Sequence, residues 1–166
     1  MVKIRLAAPL QTDSVVDGQG LRLVIWTQGC PHHCDGCHNK ESHAYNGGKL
    51  YEIDELCQEI NDLNYHDGIT FSGGEPFEQV EECLLLAKYA KSLGLNVWCY
   101  TGYTWEFLHN KNSPIIQEFF NYIDILVDGK FDRNLKSLEC KFRGSSNQRC
   151  IDVNKTKKSE KICTLY

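Results

Sequence analysis

Between residues 21 and 153, short apolar runs alternate with amphipathic segments, and most of the runs end in a polar or glycine-bearing turn. That rhythm constrains the fold more than any single residue. Residues 21–27 (LRLVIWT), 68–71, Asn96–Tyr100, 123–127 and 149–153 read as strands. Ile53, Leu56, Cys57, Ile60 and Leu63 recur at helical spacing, as do Val80, Cys83, Leu84, Ala87 and Ala90, with Gly94 placed as a cap. Residues 115–120 add another helical stretch. Strand and helix in alternation predict an α/β fold with a mainly parallel sheet. A complete eight-unit barrel takes about 250 residues, so 166 allow roughly four to six units. The expectation is an open or partial (β/α) barrel forming one domain over residues 1–166. No internal repeat, low-complexity tract or linker interrupts it.

Ligands in such sheets bind outside the carboxyl ends of the strands. Cys30 follows the first of these strands, residues 72–76 the second, Thr101 and Gly102 the third, and residues 128–130 the fourth. The polar residues therefore gather at one end by chain order alone.

The loop after the first strand reads Cys30-Pro-His-His-Cys34-Asp-Gly-Cys37-His38-Asn39. Nine cysteines is many for a chain of this size, and disulfides do not persist in a reducing compartment. Cys57, Cys83 and Cys99 sit among apolar neighbours and read as small buried hydrophobes. Three thiols within eight residues do not. Thiolates suit zinc or iron–sulfur clusters. A structural zinc site would need a fourth ligand from His32, His33 or His38, and no second close Cys pair exists to help: Cys140, Cys150 and Cys163 are scattered. Cys34 to His38 also fits the C-x-x-C-H pattern of covalent haem attachment, which would leave Cys30 without a role. The third reading is a four-iron–four-sulfur cluster with three protein ligands, Cys30, Cys34 and Cys37. One iron is then open to a ligand and to catalysis.

The spacing Cys-x₃-Cys-x₂-Cys resembles the signature of the radical S-adenosylmethionine superfamily. Gly73-Gly74-Glu75, about forty residues further on, looks like that family's Gly-Gly-Glu motif. A glycine pair allows φ > 0 and close backbone approach to a ligand. The finer resemblance is to the glycyl-radical-enzyme activases. It is carried by Asp17-Gly18-Gln19-Gly20-Leu21-Arg22, by Gly29 through Lys40, by the run DILVDGKF from Asp124 to Phe131, and by FRGSSNQR from Phe142 to Arg149. These matches span most of the chain. Gly36 departs from the broad pattern, because many members place an aromatic there beside the cofactor's adenine.

The resemblance implies that the open iron chelates the methionine part of S-adenosylmethionine. The reduced cluster cleaves it, and the resulting radical takes a hydrogen atom from a glycine of a partner enzyme. It further implies that Gly73, Gly74 and Glu75 receive the cofactor's ammonium group. Lys130 would meet the cofactor carboxylate, Asp128 its ribose or a cation, and Arg143 and Ser145 the cofactor or the partner. On the residues alone, these last four are as well read as solvated turns. The implied partners are an anaerobic ribonucleotide reductase large subunit as protein substrate and a reduced flavodoxin or similar electron donor. Pyruvate formate-lyase is the second candidate substrate, and a small-molecule radical enzyme the second reading of the chemistry. A formal charge of −4 predicts no nucleic-acid footprint. The lack of a long apolar run predicts no membrane span, and residues 1–10 lack a signal-peptide pattern, so a cytoplasmic setting is expected.

Overall fold

The computed structural model describes residues 1–166. Eight strands, β1 (Lys3–Leu6), β2 (Gln11–Ser14), β3 (Arg22–Thr27), β4 (Lys49–Glu52), β5 (Gly68–Gly73), β6 (Asn96–Tyr100), β7 (Ile125–Asp128) and β8 (Arg149–Asp152), form one sheet. Its order is β4-β1-β3-β5-β6-β7-β8, with β2 also on β3. Parallel pairing is confined to the middle: β3 with β5, β5 with β6, and β6 with β7. The flanks are antiparallel. β1 pairs with β4 and with the carboxyl end of β3, β2 pairs with the remainder of that edge, and β8 runs against β7. The expected mainly parallel sheet is therefore corrected to a mixed one. Hydrophobic pattern fixes which side chains face inward, whereas strand direction depends on where the connecting chain returns. β4 and β8 end the sheet without pairing to each other, so it stays open.

Alternation along the central strands separates two surfaces. Leu23, Ile25, Ile69, Phe71, Val97, Cys99 and Leu126 enter the main core. Trp98, Ile125, Val127 and Cys150 form a smaller cluster on their own. The main core is closed by helices. α1 (Ile53–Asp62) buries Ile53, Leu56 and Ile60 at helical spacing and carries Asp54 and Glu55 in its first turn. α2 (Val80–Ser92) buries Cys83, Leu84, Leu86, Ala87 and Ala90. It stops before Gly94, whose φ of +78° favours glycine. α3 (Trp105–Asn110) is capped by the Thr104 hydroxyl, which accepts from the Phe107 amide. α4 (Pro114–Phe120) starts with Ser113 as cap and Pro114 at the first position, and α5 (Val153–Ser159) is capped by Asp152. Phe119 links these layers, with its ring 5.8 Å from Phe71 and 5.2 Å from Phe77. No helix is long and apolar enough to cross a membrane. The consequence for function is a row of four parallel strands whose carboxyl ends lie side by side.

Candidate metal centre and ligand cavity

Parallel pairing brings Thr27 of β3 beside Gly73 of β5 and Tyr100 of β6 beside Val127 of β7, so the loops that follow meet. The cysteine loop leaves β3 through Gln28, whose buried amide donates to the carbonyls of Glu41 (3.0 Å) and Ala44 (2.6 Å). The Gly29 amide donates to Ser42 O and the Cys30 amide to His43 O, which ties the loop's two ends together. Cys30 is buried, Cys34 and Cys37 are half-buried, and all three are free thiols. They line one cavity of about 130 Å³ together with residues after β5 (Ser72, Gly73, Gly74), β6 (Thr101, Gly102) and β7 (Gly129, Phe131), and with Gln148. Larger clefts lie between α3, α4 and α5 and against α1 and α2, but none gathers a comparable donor set.

The donor chemistry fits a thiolate-bound iron–sulfur group. No three His, Cys, Asp or Glu side chains close on a single-ion position, yet three thiols share one cavity. One of the three sulfurs is met by a backbone amide: Asn39 N–H donates to Cys37 Sγ at 3.4 Å, the kind of bond that tunes a cluster's potential. Without a metal, burial dominates and pushes the Cys30 thiol up to about 11, with Glu75 and the other two cysteines adding to the rise. The Cys34 thiol is raised by burial and by Cys37, with the Phe131 amide and the Lys130 charge opposing. Metal ions displace these protons on binding.

The glycine turn lines the cavity and also packs within the protein. The positive φ, +96°, is at Gly73. At Gly74 the constraint is steric and internal: a Cβ there would stand 2.4 Å from Gly29 O and 3.0 Å from Ser42 O. The turn packs directly on the cysteine loop. Gly74→Val is therefore expected to lose iron as well as cofactor affinity, since the loop carrying the thiols has to move. Iron analysis of the reconstituted variant checks this, and a normal iron content paired with weak cofactor binding would show that the glycine serves the ligand alone.

Glu75 is fully buried, and its carboxylate is filled by the protein. Oε1 accepts from Gly102 N (2.8 Å) and Thr101 Oγ1 (2.9 Å) and lies 2.7 Å from His32 Nε2. Oε2 accepts from Phe77 N at 3.0 Å and is also 2.9 Å from Thr101 Oγ1. Buried charge is tolerated where such partners exist. These contacts engage both oxygens, and the carboxylate fastens the cysteine loop to the end of β6. Gly102 takes part, because a Cβ on it would fall 2.4 Å from the His32 ring.

Asp128 is likewise engaged. It is buried, receives Arg149 Nε at 3.0 Å and Nη2 at 2.5 Å, and accepts from Trp105 N at 2.8 Å. Arg149 reaches on to both oxygens of Glu106, holding that carboxyl below its ordinary range. Ser145 is buried, with its hydroxyl accepting from Asp132 N at 3.1 Å. Arg143 donates to the carbonyls of Gln148 and Lys141. Lys130 is exposed, with its charge near Cys34. Gly73 and Gly74 thus line the cavity, whereas Glu75, Asp128 and Ser145 brace it from behind. His33 packs on His43 and His38 on Phe131, both as loop residues. The Cys163 thiol lies against Ser159 Oγ and Lys161 O in the turn after α5.

Sequence reasoning missed Phe131, Tyr100 and Gln148 as lining residues. The strand periodicity that faces Trp98 away from the main core does the same for Tyr100 two residues on, and was the available signal. Phe131 stands 3.4 Å from where a Gly36 Cβ would be, so an aromatic does reach this spot, from another loop.

Three thiols and a glycine turn at adjacent strand ends of an open α/β sheet are a donor set suited to an iron–sulfur protein. The sequence matches the family described as a 4Fe-4S single cluster domain over residues 16–151. Among curated proteins, the anaerobic ribonucleoside-triphosphate reductase-activating proteins are similar to it. That of Salmonella typhi is 35% identical over 142 residues, covering 81% of this chain and 90% of the relative. That of Escherichia coli K12 is 36% identical with the same coverage, and that of phage T4 is 31% identical over 140 residues, covering 81% and 85%. The chain belongs to the 4Fe-4S single cluster domain family and to the family of these anaerobic ribonucleoside-triphosphate reductase-activating proteins.

Proposed function

We propose that this chain is an activating enzyme that generates a glycyl radical on an anaerobic ribonucleoside-triphosphate reductase by reductive cleavage of S-adenosylmethionine. The observation that carries the reading is the shared cavity, lined by three thiols and the Gly73–Gly74 turn, in a chain whose relatives are named as activating proteins of that reductase. In this reading Cys30, Cys34 and Cys37 hold a four-iron–four-sulfur cluster and leave one iron without a protein ligand. Strands β3, β5, β6 and β7 are the centre of a partial radical S-adenosylmethionine barrel, and residues 1–166 act as one domain.

When bound, the cluster and S-adenosylmethionine supply one-electron cleavage and hydrogen-atom abstraction; the chain binds, orients and excludes water. Backbone carbonyls at Gly73 and Gly74 are suited to an ammonium group, and Glu75 holds that turn against the cysteine loop. Lys130 is the cation available to a carboxylate beside Cys34. Asp128 and Ser145 act by fixing the segment that carries Lys130 and Arg143. The sheet is open and its site lies at the strand ends, which suits a protein loop presenting glycine, whose lack of a side chain permits close approach. The partners in this scheme are the reductase large subunit and a reduced flavodoxin or similar donor. The setting is the cytoplasm, with neither membrane nor nucleic acid involved.

Mixing anaerobically reduced protein, S-adenosylmethionine and the reductase should give a glycine-centred radical by electron paramagnetic resonance. A signal with pyruvate formate-lyase and none with the reductase would reassign the partner. Turnover of a small substrate, with no radical on either protein, would overturn the activase reading.

A further inference from the structure

The segment from residue 130 to 143 carries five cations, Lys130, Arg133, Lys136, Lys141 and Arg143, against only Asp132 and Glu139, in a chain of net charge −4. Among them only Arg133 has an ion-pair partner, Asp35, at 3.6 Å with both side chains mostly exposed. Lys130, Lys136 and Lys141 are exposed without a carboxylate, and Arg143 meets only carbonyls. Two leucines stand in solvent among them, Leu135 at 42% and Leu138 at 96% exposure. The backbone is nonetheless anchored, by the Lys136–Ser145 bridge and by Asn147 Nδ2 donating to Lys130 O.

We propose that this basic, leucine-bearing segment is the docking surface for an acidic one-electron carrier protein. The inference rests on the cluster assignment above and names where its electron enters. Uncompensated cations on one loop of an acidic chain steer an acidic partner toward that loop and repel it elsewhere. The exposed leucines supply the apolar contact that a protein partner, unlike a small anion, can use. Position supplies the rest. Phe131 lines the cavity, and both its ring and the Arg133 side chain lie against Gly36, between Cys34 and Cys37. A carrier seated here approaches the thiols from the flank marked by Gly36, between Cys34 and Cys37.

The test uses the cluster-loaded protein with Lys136→Glu and Lys141→Glu combined; both side chains lie outside the site described above. Photoreduced flavodoxin should reduce this variant at least about tenfold more slowly than the wild type at low salt, with a flattened salt dependence. Reduction by photoreduced deazariboflavin, which is small and uncharged, should be unchanged. Titrating oxidised flavodoxin should move amide resonances of residues 130–143 in the wild type and not in the variant. The neutral pair Lys136→Gln and Lys141→Gln gives an intermediate rate and serves if the charge reversal disturbs folding. Equal flavodoxin rates in variant and wild type would overturn the proposal, as would equal slowing with both reductants. Loss of glycyl radical under deazariboflavin, with flavodoxin reduction intact, would assign the surface to the reductase instead. If the wild type forms no glycyl radical with any reductant, the activase reading fails, while the flavodoxin rates still decide this one.

Discussion

Cys34→Ala is expected to lose most of the iron and sulfide and to lower glycyl-radical formation by more than about a hundredfold, because outer partners of metal ligands alone are worth 10–100-fold. The nine cysteines provide their own controls. Cys57 is a half-buried residue of α1 packed against the core, and Cys83 and Cys99 are fully buried, with burial raising the latter two thiols well above their ordinary value. Such thiols are inert and act as packing. Cys57→Ala should therefore keep full iron content. Cys83→Ala should do so as well, at a stability cost on the order of 1 kcal/mol for the cavity left in α2's packing. Iron and sulfide analysis with electron paramagnetic resonance reads all three variants. An iron-replete, active Cys34→Ala would remove the triad from the site, and iron loss in Cys57→Ala would mean that the count of ligands is wrong.

The triad and the central strands were legible because their signals are local. The run RLVIWT is apolar over consecutive residues, and three cysteines within eight positions admit few packing explanations. The flanking strands β1, β2 and β4 were not legible. Each has only four residues: β1 alternates, with Ile4 and Leu6 buried, but too briefly to announce a strand, β2 exposes three of its four, and β4 leaves Leu50 more than half exposed. They are held by pairing, β1 and β2 on the outer edge of β3 and β4 on β1, which is a tertiary demand. α3 and α5, at six and seven residues, are likewise too short to show a helical period. β8 was visible as a strand, but nothing in RCID encodes its direction. The same distinction holds within the site. Glu75 stood out by its motif, yet its partners His32 and Thr101 lie 43 and 26 positions away, and no pattern in one sequence links them.

Those distant partners make Glu75→Gln the second variant with a large effect. The buried carboxylate accepts from the backbone amides of Phe77 and Gly102 and from the Thr101 hydroxyl, with His32 against Oε1. A carboxamide has one acceptor oxygen, so its NH₂ must face an N–H donor on one side or the other. One buried donor is left unmatched, at about 1–3 kcal/mol, and the charge that strengthens the remaining bonds is gone. Breaking such a buried arrangement costs about 3–5 kcal/mol in comparable cases, and here the damage is directed. It falls on the join between the cysteine loop and β6, while α1 and α2 keep their contacts. Glu75→Gln should thus speed amide hydrogen exchange across residues 28–43 and reduce iron retention, with exchange in α1 and α2 much less affected. His32→Ala should loosen the same segment more mildly, since Thr101, Gly102 and Phe77 still hold the carboxylate. Because both substitutions break one join, the double variant should exchange little faster than Glu75→Gln alone. Additive effects, or a cysteine loop whose exchange is unchanged in Glu75→Gln, would show that the carboxylate does not hold the loop and would return Glu75 to direct contact with the cofactor.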